Sequence, residues 1–280
     1  MPIRIIALDM DGTLMAPDHL TVTQRTRNAL QHAHDTGVKI AIATGRTMAY
    51  ISDVFDQVPM VDYVIQSNGA AVFDRKKNEY IYTSLLDWDF SKEIIEYIET
   101  LPVFYEIYAH GKSYANPQKA QFFSNPEVPR GFIDHLMNNM ELHTDVVSEI
   151  SGNNLEKINL YCPDSHLDST LFDRLWQEFS AIEGVDVASA LPGAIEMTRK
   201  GVTKGSALAG LCDALGFTPN QAMAFGDAGN DCPMLQLAKY SFAMGNGTDQ
   251  CKKSAKYIAP SNADDGVAKM VEKFVLDKCK

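Results

Sequence analysis

Apolar residues in this chain come first in continuous runs rather than in alternation. Ile3–Leu8, Val38–Ala43 and Tyr63–Gln66 carry few polar positions, the pattern of strands buried on both faces of a parallel sheet. Between them the period changes to that of helices. Thr23–Thr36 opens on a threonine suited to capping and stops at Gly37, and Thr47–Val58 is expected to form a second helix. Strand and helix in alternation predict a doubly wound, Rossmann-like α/β domain.

After Asn68-Gly69 the rhythm breaks. Ala71–Phe73 and Tyr80–Tyr82 flank the polar stretch Asp74–Glu79, a predicted hairpin. Helices are expected at Asp89–Leu101 and Leu167–Phe179, and strands at Phe104–Tyr108, Ser113–Ala115 and Lys157–Tyr161, with Pro117, Pro126 and Pro129 interrupting the middle. This mixture predicts a separate α+β domain inserted from Leu85 to Ser189. From Gly201 the first rhythm returns with helix Lys204–Leu215, strand Ala222–Phe225, helix Asp231–Ala238, strand Ser241–Met244 and a last helix near Val267–Val275. Residues 1–84 and 190–280 are therefore expected to share one sheet, with 85–189 as the insertion. A length of 280 residues suits two domains.

Composition narrows the chemistry. A formal net charge of −11 argues against nucleic acid or an anionic membrane as partner, because either would reward a basic face. The apolar run before Asp9 is too short for a secretory signal or a membrane span. Five scattered cysteines with no C-x-x-C pair read as reduced thiols of a cytoplasmic protein. A chain this acidic that handles an anion must supply positive potential locally, from a metal ion, a lysine or helix N-termini.

Four short segments meet that requirement. Asp9-Met10-Asp11-Gly12-Thr13 follows the first buried strand, and in open parallel sheets ligands bind at the carboxyl ends of strands. It is no calcium loop, since no closing glutamate follows. Ala43-Thr44-Gly45-Arg46 ends the second strand, where a hydroxyl and an amide can donate together to a phosphate oxygen, although Thr44 also suits an ordinary helix cap. Gly201-Val202-Thr203-Lys204-Gly205 places a lysine between glycines before a helix, without P-loop spacing. Gly226-Asp227-Ala228-Gly229-Asn230-Asp231 brings two more carboxylates to a strand end, where Asn230 or Asp231 can also cap the next helix.

If those strands are neighbours, Asp9, Asp11 and Asp227 converge, and each carboxylate pair about 4 Å apart repels by roughly 4 kcal/mol at an effective dielectric of 20. Such a cluster calls for a cation. The segments contain no histidine or cysteine, so a hard divalent ion such as Mg2+ fits better than zinc. The expected chemistry is metal-assisted phosphoryl transfer, with Lys204 neutralising phosphoryl oxygens, Thr44 and Asn230 orienting them, and a carboxylate attacking in line.

In this order the segments resemble the haloacid dehalogenase (HAD) superfamily, in particular its Cof-type sugar-phosphatase branch. The likeness also takes in Ser67-Asn68-Gly69-Ala70 and Asp265-Gly266-Val267-Ala268, and so spans essentially the whole chain. The resemblance implies Asp9 as nucleophile and Asp11 as general acid and later base. It implies Mg2+ bound by Asp9, the main-chain carbonyl of Asp11 and Asp227, with Asp231 in support. Phosphate is then held by the Met10 amide, Thr44, Gly45, Lys204 and Asn230, and the insertion acts as a cap that governs substrate choice. Arg46, Lys157 and Tyr161 are candidates to face the leaving group, and each reads also as an ordinary strand or surface residue. The expectation is a Mg2+-dependent phosphatase of small phosphomonoesters, monomeric or weakly dimeric. A phosphomutase-type phosphotransferase and a non-catalytic phosphometabolite sensor are the competing readings; the presence of both Asp9 and Asp11 argues against the sensor.

Overall fold

The computed structural model describes residues 2–122, 134, 136–163, 169–189 and 193–276. Pro126, Pro129 and the expected helix start at Leu167 lie outside the described residues. The strands, in chain order, are β1 Ile5–Leu8, β2 Lys39–Ala43, β3 Tyr63–Gln66, β4 Ala71–Asp74, β5 Glu79–Thr83, β6 Phe104–Ala109 and β7 Lys112–Ala115. Then come β8 Met140–Leu142, β9 Lys157–Tyr161, β10 Val185–Ala188, β11 Ala194–Arg199, β12 Ala222–Gly226, β13 Tyr240–Ala243 and β14 Tyr257–Ile258. They form two sheets, each inside its own compact unit.

The first unit comprises Met1–Gly45, Ile51–Thr83 and Thr203–Lys280. Its eight strands run in the order β14-β13-β12-β1-β2-β3-β4-β5. Strands β14 to β3 are parallel, and β4 and β5 add an antiparallel edge. The continuous apolar runs are buried as expected: all four residues of β1 are 0% exposed. From β1 the chain passes to β2 on one side and later to β12 on the other. Leu8 is paired with both Ile42 and Phe225, so Asp9 leaves the sheet at the point where the strand order reverses, the place where open α/β sheets bind ligands.

Helices Gln24–Asp35, Lys204–Ala214, Cys232–Leu237 and Gly266–Val271 belong to this unit. The first is capped by Thr23, whose side chain accepts from the Thr26 amide and donates to Asp265 at 2.6 Å. The helix expected over Thr47–Val58 is broken into a turn at Met48–Tyr50 and a short helix at Val54–Gln57. Its start belongs to the second unit, where the Ala49 amide donates to the Gly111 carbonyl at 2.9 Å and Tyr50 is fully buried. Those tertiary bonds outweigh a weak helical preference.

The second unit, Arg46–Tyr50 and Ser84–Val202, is an α+β insertion. Its sheet has the order β10-β11-β9-β6-β7-β8. It extends past the expected boundary at Ser189, because β11 pairs between β9 and β10 and cannot be separated from them. One face is apolar: Tyr105, Ile107, Ile158, Leu160, Ile195 and Met197 pack with Ile94, Ile95 and Ile98 of helix Trp88–Glu99 and with Leu175 and Phe179 of helix Thr170–Ser180.

The other face is polar and nevertheless buried. Glu106 stands opposite Asn159, which stands opposite Glu196. The Glu106 carboxylate, 0% exposed, accepts hydroxyl hydrogen bonds from Tyr50 (2.7 Å), Ser113 (2.9 Å) and Tyr161 (2.9 Å). Lys157 Nζ lies 3.3 Å from Glu196 and 4.8 Å from the centre of the Tyr108 ring. Removing the shared acceptor takes a partner from three hydroxyls at once, those of Tyr50 and Ser113 fully buried, so Glu106→Leu is expected to destabilise the protein by about 3 kcal/mol. Urea unfolding checks this, and a neutral or stabilising substitution would contradict the network's role.

Candidate active site

Asp9 extends directly from β1, and its amide donates to the Phe225 carbonyl at 3.0 Å. The Met10–Leu14 segment then turns sharply through Gly12, whose φ is +79°. A side chain is excluded there on two counts: the left-handed backbone, and a Cβ that would lie 2.5 Å from Asp227 Oδ2. The next residue, Thr13, donates its hydroxyl to Asp227 Oδ1 at 2.9 Å, joining the ends of β1 and β12.

Asp231 organises the β12 end. Its Oδ2 accepts the amides of Asp227 (2.9 Å) and Ala228 (3.0 Å), closing that loop on itself. Its Oδ1 faces Lys204 Nζ at 2.7 Å, and the same ammonium lies 2.5 Å from Asp9 Oδ1. Lys204 is placed by a capping box at the start of its helix: Thr203 accepts from the Ser206 amide while Ser206 Oγ accepts from the Thr203 amide, both at 2.9 Å. Asp9, Lys204 and Asp231 are 7%, 1% and 0% exposed. Asp227 is half-buried.

Two carboxylates therefore contact one ammonium and a third, that of Asp227, lies beside them, leaving surplus negative charge in a largely buried place. Burial pushes the Asp9 carboxyl well above its usual range and Asp231 adds to the shift, while Lys204 pulls the other way. Asp227 moves up for the same first two reasons and is held back by the Thr13 hydrogen bond. Burial alone would lower Lys204, yet Asp231 and Asp9 outweigh it and hold the ammonium above the ordinary lysine range. The lysine is thus a fixed cation that does not neutralise the whole cluster.

Ligand atoms of Asp9, Asp227 and Asp231 lie within 4.8 Å of one another. This all-oxygen donor set suits a hard divalent cation. The Asp11 side chain is not part of that group; it is 38% exposed and lies 3.4 Å from His19 Nδ1.

The remaining candidates stand on neighbouring turns. Met10 is fully buried, and its carbonyl accepts from the Met15 amide. Thr44 is 2% exposed at the end of β2, and its carbonyl accepts the Asn68 amide at 3.0 Å. Asn68 has a left-handed backbone, with φ of 58°, and accepts from Asn230 Nδ2 at 3.2 Å. It also limits Gly45, where a Cβ would come within 2.9 Å of Asn68 Oδ1. Asn68 thereby connects the Thr44-Gly45 turn to the Asn230 turn. Of the leaving-group candidates, Lys157 and Tyr161 belong to the polar network of the second unit, and Arg46 reaches the Tyr50 carbonyl at 3.4 Å.

Sequence reasoning assigned no role to Thr13, Asn68 or His19. Asn68-Gly69 carried a signal, since asparagine tolerates the left-handed region. The Thr13 contact depends on a residue 214 positions away and had none.

The raised Asp9 carboxyl predicts a pH effect. Its folded value lies well above 3.8, so the protonated form is favoured by folding; that contribution is present below 3.8 and is lost as pH rises through the folded value. In metal-free protein, Asp9→Asn is therefore expected to raise the melting temperature at pH 7, with a gain that shrinks toward pH 4. Thermal scans across that range check the sign, and a destabilised variant at neutral pH would contradict it.

A parallel sheet with an inserted α+β unit and an acidic cluster with a buried lysine at the strand-order reversal define a class. The chain belongs to the haloacid dehalogenase-like hydrolases, whose family profile matches residues 6–271. It is a phosphatase of that family. A Streptococcus pyogenes protein, M6_Spy0533, is 30% identical over 281 residues, covering 99% of this chain and 100% of that one. The Bacillus subtilis 5-amino-6-(5-phospho-D-ribitylamino)uracil phosphatase YcsE is 27% identical over 281 residues, covering 98% and 96% of the two chains. Among solved structures, the HAD subclass IIB sugar phosphatase BT4131 superposes with a TM-score of 0.79 at 25% identity, covering 97% and 98%. No helix among the described residues is long and apolar enough to cross a membrane.

Proposed function

We propose that this phosphatase is Mg2+-dependent and hydrolyses small phosphomonoesters, sugar phosphates above all, through a phosphorylated Asp9. The observation that carries the reading is the buried Lys204 ammonium shared by Asp9 and Asp231 beside Asp227, at the reversal point of the sheet. An Asp9 oxygen attacks phosphorus, the ester P–O bond breaks, and Asp11 gives its proton to the departing alcohol oxygen. Water then attacks the aspartyl-phosphate, Asp11 takes its proton, and inorganic phosphate leaves with the Asp9 carboxylate restored.

The half-exposed position of Asp11 suits a group that must meet both the leaving oxygen and water. Lys204 offsets phosphoryl charge from a fixed position and needs no rearrangement during the reaction. Thr44, Gly45, Asn230 and the Met10 amide are assigned to the phosphoryl oxygens. Mg2+, held by Asp9, Asp227 and the Asp11 carbonyl with Asp231 in support, adds the positive charge that one lysine leaves wanting.

The assignment of sugar phosphates is supported by the BT4131 neighbour and by the ribityl-bearing substrate named for YcsE. Substrate choice is assigned to the inserted unit. A phosphomonoester panel with and without Mg2+ tests the whole reading. Phosphate release confined to the Mg2+ arm, and strongest on sugar phosphates, is expected; full activity in the presence of a chelator would refute the metal requirement.

A further inference from the structure

The segment carrying Asp9 and Asp11 is held at its start by the sheet, and farther along by two asparagine side chains that the reaction does not use. Asn246, just after β13, donates Nδ2 to the Gly12 carbonyl at 2.8 Å. Its Oδ1 accepts the Asn262 amide at 3.1 Å, and Asn262 in turn donates its own Nδ2 to the Met15 carbonyl at 2.9 Å. The Gly12 and Met15 carbonyls are thus both taken by side-chain amides from one C-terminal stretch.

The same stretch grips the other acidic loop. The Thr248 amide donates to the Asp227 carbonyl at 2.8 Å. Between them, Gly247 passes so close that a Cβ would lie 2.9 Å from the Asp227 carbonyl oxygen. Asn246-Gly247-Thr248 therefore spans from the carbonyl of the Gly12–Thr13 peptide to the main chain of Asp227. Glycine admits many backbone conformations, and the Asn246 amide fixes the Gly12 carbonyl beside the tie that Thr13 already makes to Asp227.

We infer that Asn246, backed by Asn262, is a positioning residue that sets the spacing and peptide orientation of the Asp9–Asp11 turn against the Asp227 loop. The inference rests on Asp9 and Asp11 being the reacting groups. A positioning role acts mainly on the transition state, so its loss falls on kcat and not on substrate KM.

The test compares wild type, Asn246→Ala, Asn262→Ala and Asp9→Asn at saturating Mg2+, with melting temperatures and amide hydrogen exchange over residues 12–16. Losing one such hydrogen bond is expected to lower kcat about tenfold in Asn246→Ala and about threefold in Asn262→Ala, with KM within about twofold. Exchange over 12–16 should quicken while the melting temperature shifts by only a few degrees. Wild-type kcat in Asn246→Ala, or a loss matched by a fall in folded fraction, overturns the positioning role while Asp9→Asn remains inert. An active Asp9→Asn would instead remove the proposed chemistry and this inference with it.

Discussion

Asp9→Asn is expected to reduce phosphate release from any accepted phosphomonoester by at least about 10⁴-fold, the scale seen when a nucleophile is removed from an intact site. Asparagine keeps the shape of the side chain and can still accept from Lys204, so binding should survive the change. What it loses is the second carboxylate oxygen and the charge that makes an attack on phosphorus possible. Phosphate release and substrate binding measured on the same preparation separate the two. A variant that retains more than a few per cent of wild-type kcat would show that water, and not Asp9, attacks the phosphoryl group.

Lys204→Met carries the largest expected effect on stability. Lys204 is 1% exposed, and both its carboxylate partners are buried with it. Removing one member of a buried ionic group while leaving the others costs about 3–5 kcal/mol. The lysine's raised value in the fold means its contribution is complete below 10.5 and fades only at higher pH, so the loss is fully felt at neutrality. It should shrink in acid, where Asp9 takes up a proton. Urea unfolding at pH 7 and pH 5, with chelator present, tests this. Turnover should fall as well, because the phosphoryl group loses its fixed cation. A variant as stable as wild type at pH 7 would mean the carboxylates are satisfied by other groups.

The legible parts of this protein are those whose signal is local. Strands β1, β2, β3 and β12 read directly as apolar runs, and the residues immediately after them carry the carboxylates, Thr44 and Gly45. Since sheet order follows from connection rules for α/β domains, their meeting at one edge could be anticipated. Lys204 was visible as a cation at a helix start. Its distance from Asp9 was not, because 195 positions separate them.

Other features were hidden for physical reasons. The strand Ala194–Arg199 contains glutamate, methionine and arginine, which favour helices in isolation, and becomes a strand because β9 and β10 pair on either side of it. The helix expected across Thr47–Val58 fails because residues 46–50 make their bonds in the second unit. Glu106 is the one charged residue of the stretch Phe104–Ala109, and a lone carboxylate in a strand reads as solvent-facing. Only the assembled sheet shows that three hydroxyls converge on it. Asn246 and Asn262 look like ordinary loop residues until their amides are traced to Gly12 and Met15.

A structure of the protein crystallised with Mg2+ and beryllium trifluoride, which mimics a phosphoryl group on a carboxylate, tests the centre of this account most directly. The expected result is beryllium bonded to an Asp9 oxygen, Lys204 against a fluorine, and Mg2+ touching both Asp9 and Asp227. Beryllium trifluoride bound away from Asp9, or Mg2+ bound without Asp227, would contradict it.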